Sequence, residues 1–115
     1  MTTSECIFCG MARNPTDESV TYRDDRVFVV KDINPQAPVH LLVIPNMHLN
    51  SLAYIGPGQV PVMGHLFVVA EEMARREGVT LSGYRLVLNQ GSDAGQAIDH
   101  LHLHLLGGRP LPALG

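Results

Sequence analysis

Residues 99–108 read DHLHLHLLGG, with His100, His102 and His104 alternating with Leu101, Leu103 and Leu105. Apolar–polar alternation over this length predicts a β-strand, in which successive side chains point to opposite faces. The three leucines therefore face a core and the three imidazoles share the other face, lining a surface or cleft. A merely solvated face has no need of three identical imidazoles. Two chemical readings of the pattern stand side by side on local spacing alone. Neutral imidazoles two residues apart can ligate one metal ion. Alternatively, one imidazole is a nucleophile and its neighbours bind the group it attacks.

Working outward, YRLVLN (84–89) predicts a strand before the glycine-bearing loop QGSDAGQAI (90–98). Upstream, the one convincing helix spans about Pro61 to Glu77. Proline suits its first turn, and Gly78 suits the position just past its end. Met63, Leu66, Phe67, Ala70, Met73 and Ala74 make an apolar stripe, widened by Val62, Val68 and Val69 beyond what one core face needs. VTYR and RVFVVK flank Asp24-Asp25 as two short strands around a turn, and VHLLVI (39–44) predicts a third strand. A short helix is expected near the N-terminus. Five strands, one long helix and one short one predict an α+β domain with an antiparallel sheet.

The bulk properties narrow the function classes. Residues 1–115 suit a single domain. The formal charge is -3, and the seven arginines and the lone Lys31 are scattered, which argues against nucleic acid or an anionic membrane surface as partner. No apolar run approaches the roughly 20 residues of a membrane span, and the first ten residues lack a signal-peptide pattern. A cytoplasmic location is expected. The only cysteines, Cys6 and Cys9, form C-x-x-C, which in a reducing compartment points to a metal or redox pair.

The pattern His-φ-His-φ-His-φ-φ, with φ apolar, is met in full by His100 to Leu106, and it resembles the signature of the histidine-triad (HIT) superfamily. DINPQAPVHLLVIPNMH, VLNQGSDAGQAIDH and the trailing GGRPL resemble its Hint-like, nucleotide-binding branch in order and spacing, from about Cys6 to Leu111. The resemblance implies a HIT-like fold that pairs as a homodimer. It also implies attack by His102 on the α-phosphorus of a purine nucleotide conjugate, through a nucleotidyl-histidine that water hydrolyses. By the same resemblance, His104 and His40 hold phosphate oxygens and assist the leaving group, and Gly95 and Gln96 approach the phosphate. Asn89 faces the same site, Asp32 accepts hydrogen bonds from the ribose hydroxyls, and Ile33 and Phe8 wall the base pocket.

Some HIT proteins, and the related galactose-1-phosphate uridylyltransferases, hold a structural zinc in a similar arrangement. The resemblance assigns Cys6, Cys9, His48 and His100 to that ion here, with no metal required for the chemical step. The three histidines of one segment then have three different jobs. His65, within the helix, is expected to be an ordinary helix residue. One departure stands out: Ala97 occupies a position where phosphoramidase members usually carry a serine facing the leaving group. A methyl group cannot donate a hydrogen bond there, which motivates a second reading as a non-catalytic nucleotide-binding protein. A third class, a metal-dependent hydrolase centred on His100, His102 and His104, predicts that chelation abolishes chemistry.

Overall fold

The computed structural model describes residues 6–114. Its elements in chain order are α1 (Ile7–Arg13), β1 (Val20–Arg23), β2 (Val27–Lys31), β3 (Val39–Pro45), α2 (Val60–Arg76), β4 (Tyr84–Leu88) and β5 (Leu103–Gly107), with short 3-10 turns at Leu52–Tyr54 and Ser92–Ala94. The five strands form one antiparallel sheet in the order β1-β2-β3-β5-β4. This is the α+β architecture expected from the sequence, with one long and one short helix.

β2 and β3 are apolar almost without interruption because both of their faces are covered. Val27, Val29, Leu41 and Val43 join the core beneath α2, whereas Phe28, Val30, Leu42 and Ile44 join a second core with Cys6, Phe8 and Cys9 beneath α1. Leu103 and Leu105 point into the α2 core. His104 therefore projects on the α1 side, opposite Leu42 of β3 and diagonal to His40.

α2 starts with a proline in its first turn and ends at Gly78, whose φ of +73° is a left-handed conformation that glycine adopts without a Cβ clash. Val79 N–H bonds back to Ala74 C=O (3.0 Å) and Gly78 N–H to Arg75 C=O (3.1 Å), which closes the helix and buries Val79. The face that packs is Leu66, Val69, Ala70, Met73 and Ala74, at i, i+3, i+4, i+7 and i+8. Phe67, expected within the core stripe, is instead half exposed, and Val68 is exposed beside it. One residue advances the helix by about 100°, so both lie outside the buried arc.

α1 is fixed from both ends. The thiol of Cys6 caps its start by accepting the Cys9 N–H at 3.5 Å. The Arg23 guanidinium of β1 donates to the carbonyls of Ala12 (3.0 Å), Met11 (2.9 Å) and Asn14 (2.8 Å) at its end. Carbonyls at a helix end have lone pairs that the helix itself leaves open, even where, as at Met11, the Asn14 N–H already bonds (3.3 Å). A cation there also suits the helix dipole.

Candidate active site and metal centre

The histidine segment enters the ladder later than its pattern suggests. Only His104 lies within β5; His100 and His102 precede it. The physical reason is that Leu101 N–H bonds to Leu49 C=O (2.6 Å) and His100 N–H to Ile98 C=O (2.9 Å), away from the ladder. The alternation of faces nevertheless holds. Leu101 is fully buried, His100 and His102 are buried on the α1 side, and the His102 and His104 ring centres are 5.0 Å apart.

Backbone groups set the proton on each ring. Nε2–H of His100 donates to the Pro45 carbonyl (2.8 Å), leaving Nδ1 as its lone-pair nitrogen. Nδ1–H of His102 donates to the His100 carbonyl (2.8 Å), so the lone pair of His102 is on Nε2. Gln36 N–H donates to Nδ1 of His40 (3.0 Å), which places the proton of neutral His40 on Nε2. That N–H lies 2.9 Å from Nδ1 of His104, so neutral His104 keeps its own proton on Nε2. The result is one imidazole with a free lone pair and another with a free N–H. Burial, together with His102 and His40 nearby, pushes the His104 pKa down to about 4 against the opposing pull of Asp32. Burial also depresses that of His40, again against Asp32. Both rings are therefore neutral near pH 7.

His102 and His104 open onto a cleft of about 280 Å³ between α1, β2 and the loop before β5. Phe8, Met11, Val30, Ile33, Leu42 and Ile98 give it apolar walls, and Asp32, Asn89, Gly95 and Ala97 also line it. Phe8 is buried and meets the His102 ring edge to face at 5.3 Å, whereas Ile33 is fully exposed at the rim. Asp32 accepts Asn34 N–H (2.9 Å) on Oδ1 and turns Oδ2 to within 3.3 Å of Nε2 of His40. Gly95 has φ +82°, and its N–H bonds to Ser92 C=O (3.0 Å). The Gln96 side chain braces the loop, accepting Gly91 N–H (2.8 Å) and donating to Ile98 C=O (3.2 Å). Of the residues expected to approach the phosphate, both have polar groups taken up inside the loop: the Gly95 N–H and the Gln96 side-chain amide.

A second cluster lies behind this cleft. Cys6, Cys9, His48 and His100 bring four ligand atoms within 4.8 Å of one another and can hold a metal ion. Nδ1 of His100 is 3.3 Å from the Cys6 sulfur and 3.6 Å from the Cys9 sulfur; Nδ1 of His48 is 3.2 Å from the latter. Ligands about 2.3 Å (S) and 2.0–2.1 Å (N) from a tetrahedral ion stand roughly 3.3–3.8 Å apart, so the set fits with small adjustments. The Pro45 carbonyl already fixes the His100 ring for this role. Burial first, and then Cys6, raises the Cys9 thiol to about 11 against the weaker opposing pull of Arg13.

His100, His102 and His104 do not converge as one metal centre. Among the described residues, the other possible ligand group is Asp32, His40 and His104. There Nε2 of His40 carries the proton that Gln36 excludes from Nδ1, so the group reads as a hydrogen-bonded triad. His65 has a partner that nothing in the sequence signalled: its Nε2 is 2.7 Å from Oδ2 of Asp24, which also accepts from the Tyr22 hydroxyl (2.7 Å).

The sheet thus carries paired imidazoles over an apolar cleft, with a Cys₂His₂ cluster behind it. The HIT domain model matches residues 13–111, and the chain belongs to that family. The purine nucleoside phosphoramidase of Escherichia coli strain K12 is 39% identical over 107 residues, covering 93% of this chain and 90% of that protein. The structure of a histidine triad protein from Clostridium difficile superposes with a TM-score of 0.90 at 39% identity, covering 100% of both chains. A zinc-bound histidine triad family protein from Mycobacterium smegmatis gives a TM-score of 0.76 at 29% identity, covering 94% of this chain and 78% of that one.

Proposed function

We propose that this protein hydrolyses purine nucleotide conjugates at the α-phosphate, a nucleoside phosphoramidate being the first candidate, through a nucleotidyl-His102 intermediate. The observation that carries the reading is the ring setting of His102: its backbone-bound Nδ1–H leaves an Nε2 lone pair at the cleft. The likeness to a purine nucleoside phosphoramidase supports the substrate class.

In the first step Nε2 of His102 bonds to the α-phosphorus, and the bond to the leaving nitrogen breaks. The nitrogen keeps the electron pair and takes a proton from solvent. In the second step water adds hydroxide to phosphorus, and the P–Nε2 bond breaks with its electron pair returning to Nε2. The remaining proton of that water goes to solvent, balancing the one taken up in the first step. The products are a nucleoside monophosphate and an amine. Nε2–H of His104 supplies a neutral donor to the phosphate oxygens, and His40 holds it in that tautomer. The base packs against Phe8 and Ile33, the ribose diol donates to Asp32, and Asn89, Gly95 and Gln96 shape the loop side of the phosphate.

A structural zinc is proposed at Cys6, Cys9, His48 and His100. Four closed N/S ligands leave no open position, so the ion braces α1 and the His100 segment and takes no part in the step. The chain acts as one domain in the cytoplasm. It pairs as a homodimer, and the exposed Phe67 and Val68 of α2 and the open edge of β4 are surfaces available to the partner copy.

Turnover of adenosine 5′-phosphoramidate, followed as AMP release, tests the proposal. Release by wild type and its loss by about a thousandfold in His102→Ala are expected; equal rates in the two proteins would contradict it. The binding-protein reading has Ala97 in its favour, and AMP binding without turnover of any phosphoramidate or dinucleoside polyphosphate would establish it instead.

A further inference from the structure

Asp32 has a contact that ribose recognition does not explain. Its Oδ1 is engaged by the Asn34 N–H, yet Oδ2 turns inward to 3.3 Å from Nε2 of His40, whose side chain is 4% exposed. His40 has a single ring proton to give on that side, because Gln36 N–H occupies Nδ1. Two acceptors compete for it: Oδ2 of Asp32, and Nδ1 of His104 at 2.9 Å.

We infer that Asp32 is a positioning residue that couples ribose binding to the proton shared by His40 and His104. The inference rests on the proposed His102 chemistry for its catalytic meaning, though not for its geometry. A ribose diol donating to Oδ2 satisfies the carboxylate and weakens its hold on His40. The His40 N–H then goes wholly to Nδ1 of His104. That bond commits the His104 proton to Nε2, where it meets the phosphate. Without a diol, the carboxylate draws the His40 proton toward itself and the His104 tautomer is less firmly set. Nucleoside recognition at one end of the cleft thus sets the hydrogen-bond donor at the other.

A role confined to the ribose makes a different prediction, and a substrate without the diol separates the two. With 2′,3′-dideoxyadenosine 5′-phosphoramidate, no diol satisfies the carboxylate. Asp32→Asn is then expected to raise kcat about threefold over wild type with KM little changed, because a neutral amide no longer draws the His40 proton. An equal or lower kcat in Asp32→Asn on this substrate would overturn the coupling.

Imidazole ¹⁵N NMR provides a readout independent of turnover. At saturation of wild type, adenosine should move the His104 ring nitrogens toward a pure Nε2–H tautomer and 2′,3′-dideoxyadenosine should not. In Asp32→Asn the two nucleosides should give the same His104 shifts. Identical His104 shifts with both nucleosides in wild type would overturn the inference. Absence of wild-type turnover on either phosphoramidate would count against the proposed hydrolase, leaving the NMR comparison to decide the coupling.

Discussion

Nε2–H of His40 points at Nδ1 of His104 across 2.9 Å, joining β3 to β5 over 64 residues of sequence. The contact holds both rings as neutral single donors, because a second proton on His104 would face the His40 N–H and one on His40 would face the Gln36 N–H. With the His104 pKa pushed down to about 4, its ring should show no protonation step between pH 5.5 and 8. An NMR titration of the histidine ring protons checks this, and a His104 midpoint near 6.5 would refute it. The sign for stability follows. The unfolded chain takes up this proton below about pH 6.5 and the folded chain does not, so the contribution is present above that pH and is lost as pH falls toward 4.

Asp24 gathers four donors: His65, the N–H groups of Val27 and Arg26, and the Tyr22 hydroxyl. Burial alone would raise its pKa, but these bonds prevail and lower it to about 2. A folded-state pKa below the unfolded one stabilises above about pH 4, and the effect fades as pH falls toward 2. Asp24→Asn should cost about 2 kcal/mol at pH 7 and much less near pH 2. His65→Ala should cost about 1 kcal/mol. Urea unfolding at the two pH values checks both variants.

The strands around residues 20–45 and α2 were legible because their burial imposes a period of two or 3.6 on the residues themselves. The Asp24–His65 contact was not, since it joins residues 41 apart and neither belongs to a local pattern. The exact start of β5 was equally hidden, because a backbone bond to Leu49, outside the segment, decides it. Spacing alone left the histidine segment open between metal and nucleophile. The division of labour came from the resemblance, and the ring tautomers came only from the carbonyls and N–H groups that the fold brings up. Gln96 illustrates the same limit: its place in the loop was readable, but its inward hydrogen bonds were not.

Removing the proposed zinc should loosen α1 before the sheet. After treatment with a strong chelator, amide exchange should rise across residues 7–13, which Cys6 and Cys9 tie to His48 and His100, while β2 and β3 stay protected. Both thiols should become reactive to a thiol reagent only after chelation. Reactive thiols in the untreated protein, with no bound zinc by elemental analysis, would contradict the site.

Sedimentation velocity should give twice the chain mass, and Val68→Asp should shift the protein toward monomer. Val68 is 64% exposed on the free chain, so the substitution has little reason to unfold it. A wild-type monomer at micromolar concentration would rule out the proposed pairing.

The central claim is that Nε2 of His102 takes the nucleotide. Intact-protein mass spectrometry after a brief, acid-free quench with adenosine 5′-phosphoramidate tests it most directly, with His102→Ala as control. The expected result is an AMP-sized adduct that maps to His102, decays as AMP appears and is absent from the variant. An adduct of the same size in His102→Ala, or AMP release from wild type with no adduct at any quench time, would contradict it.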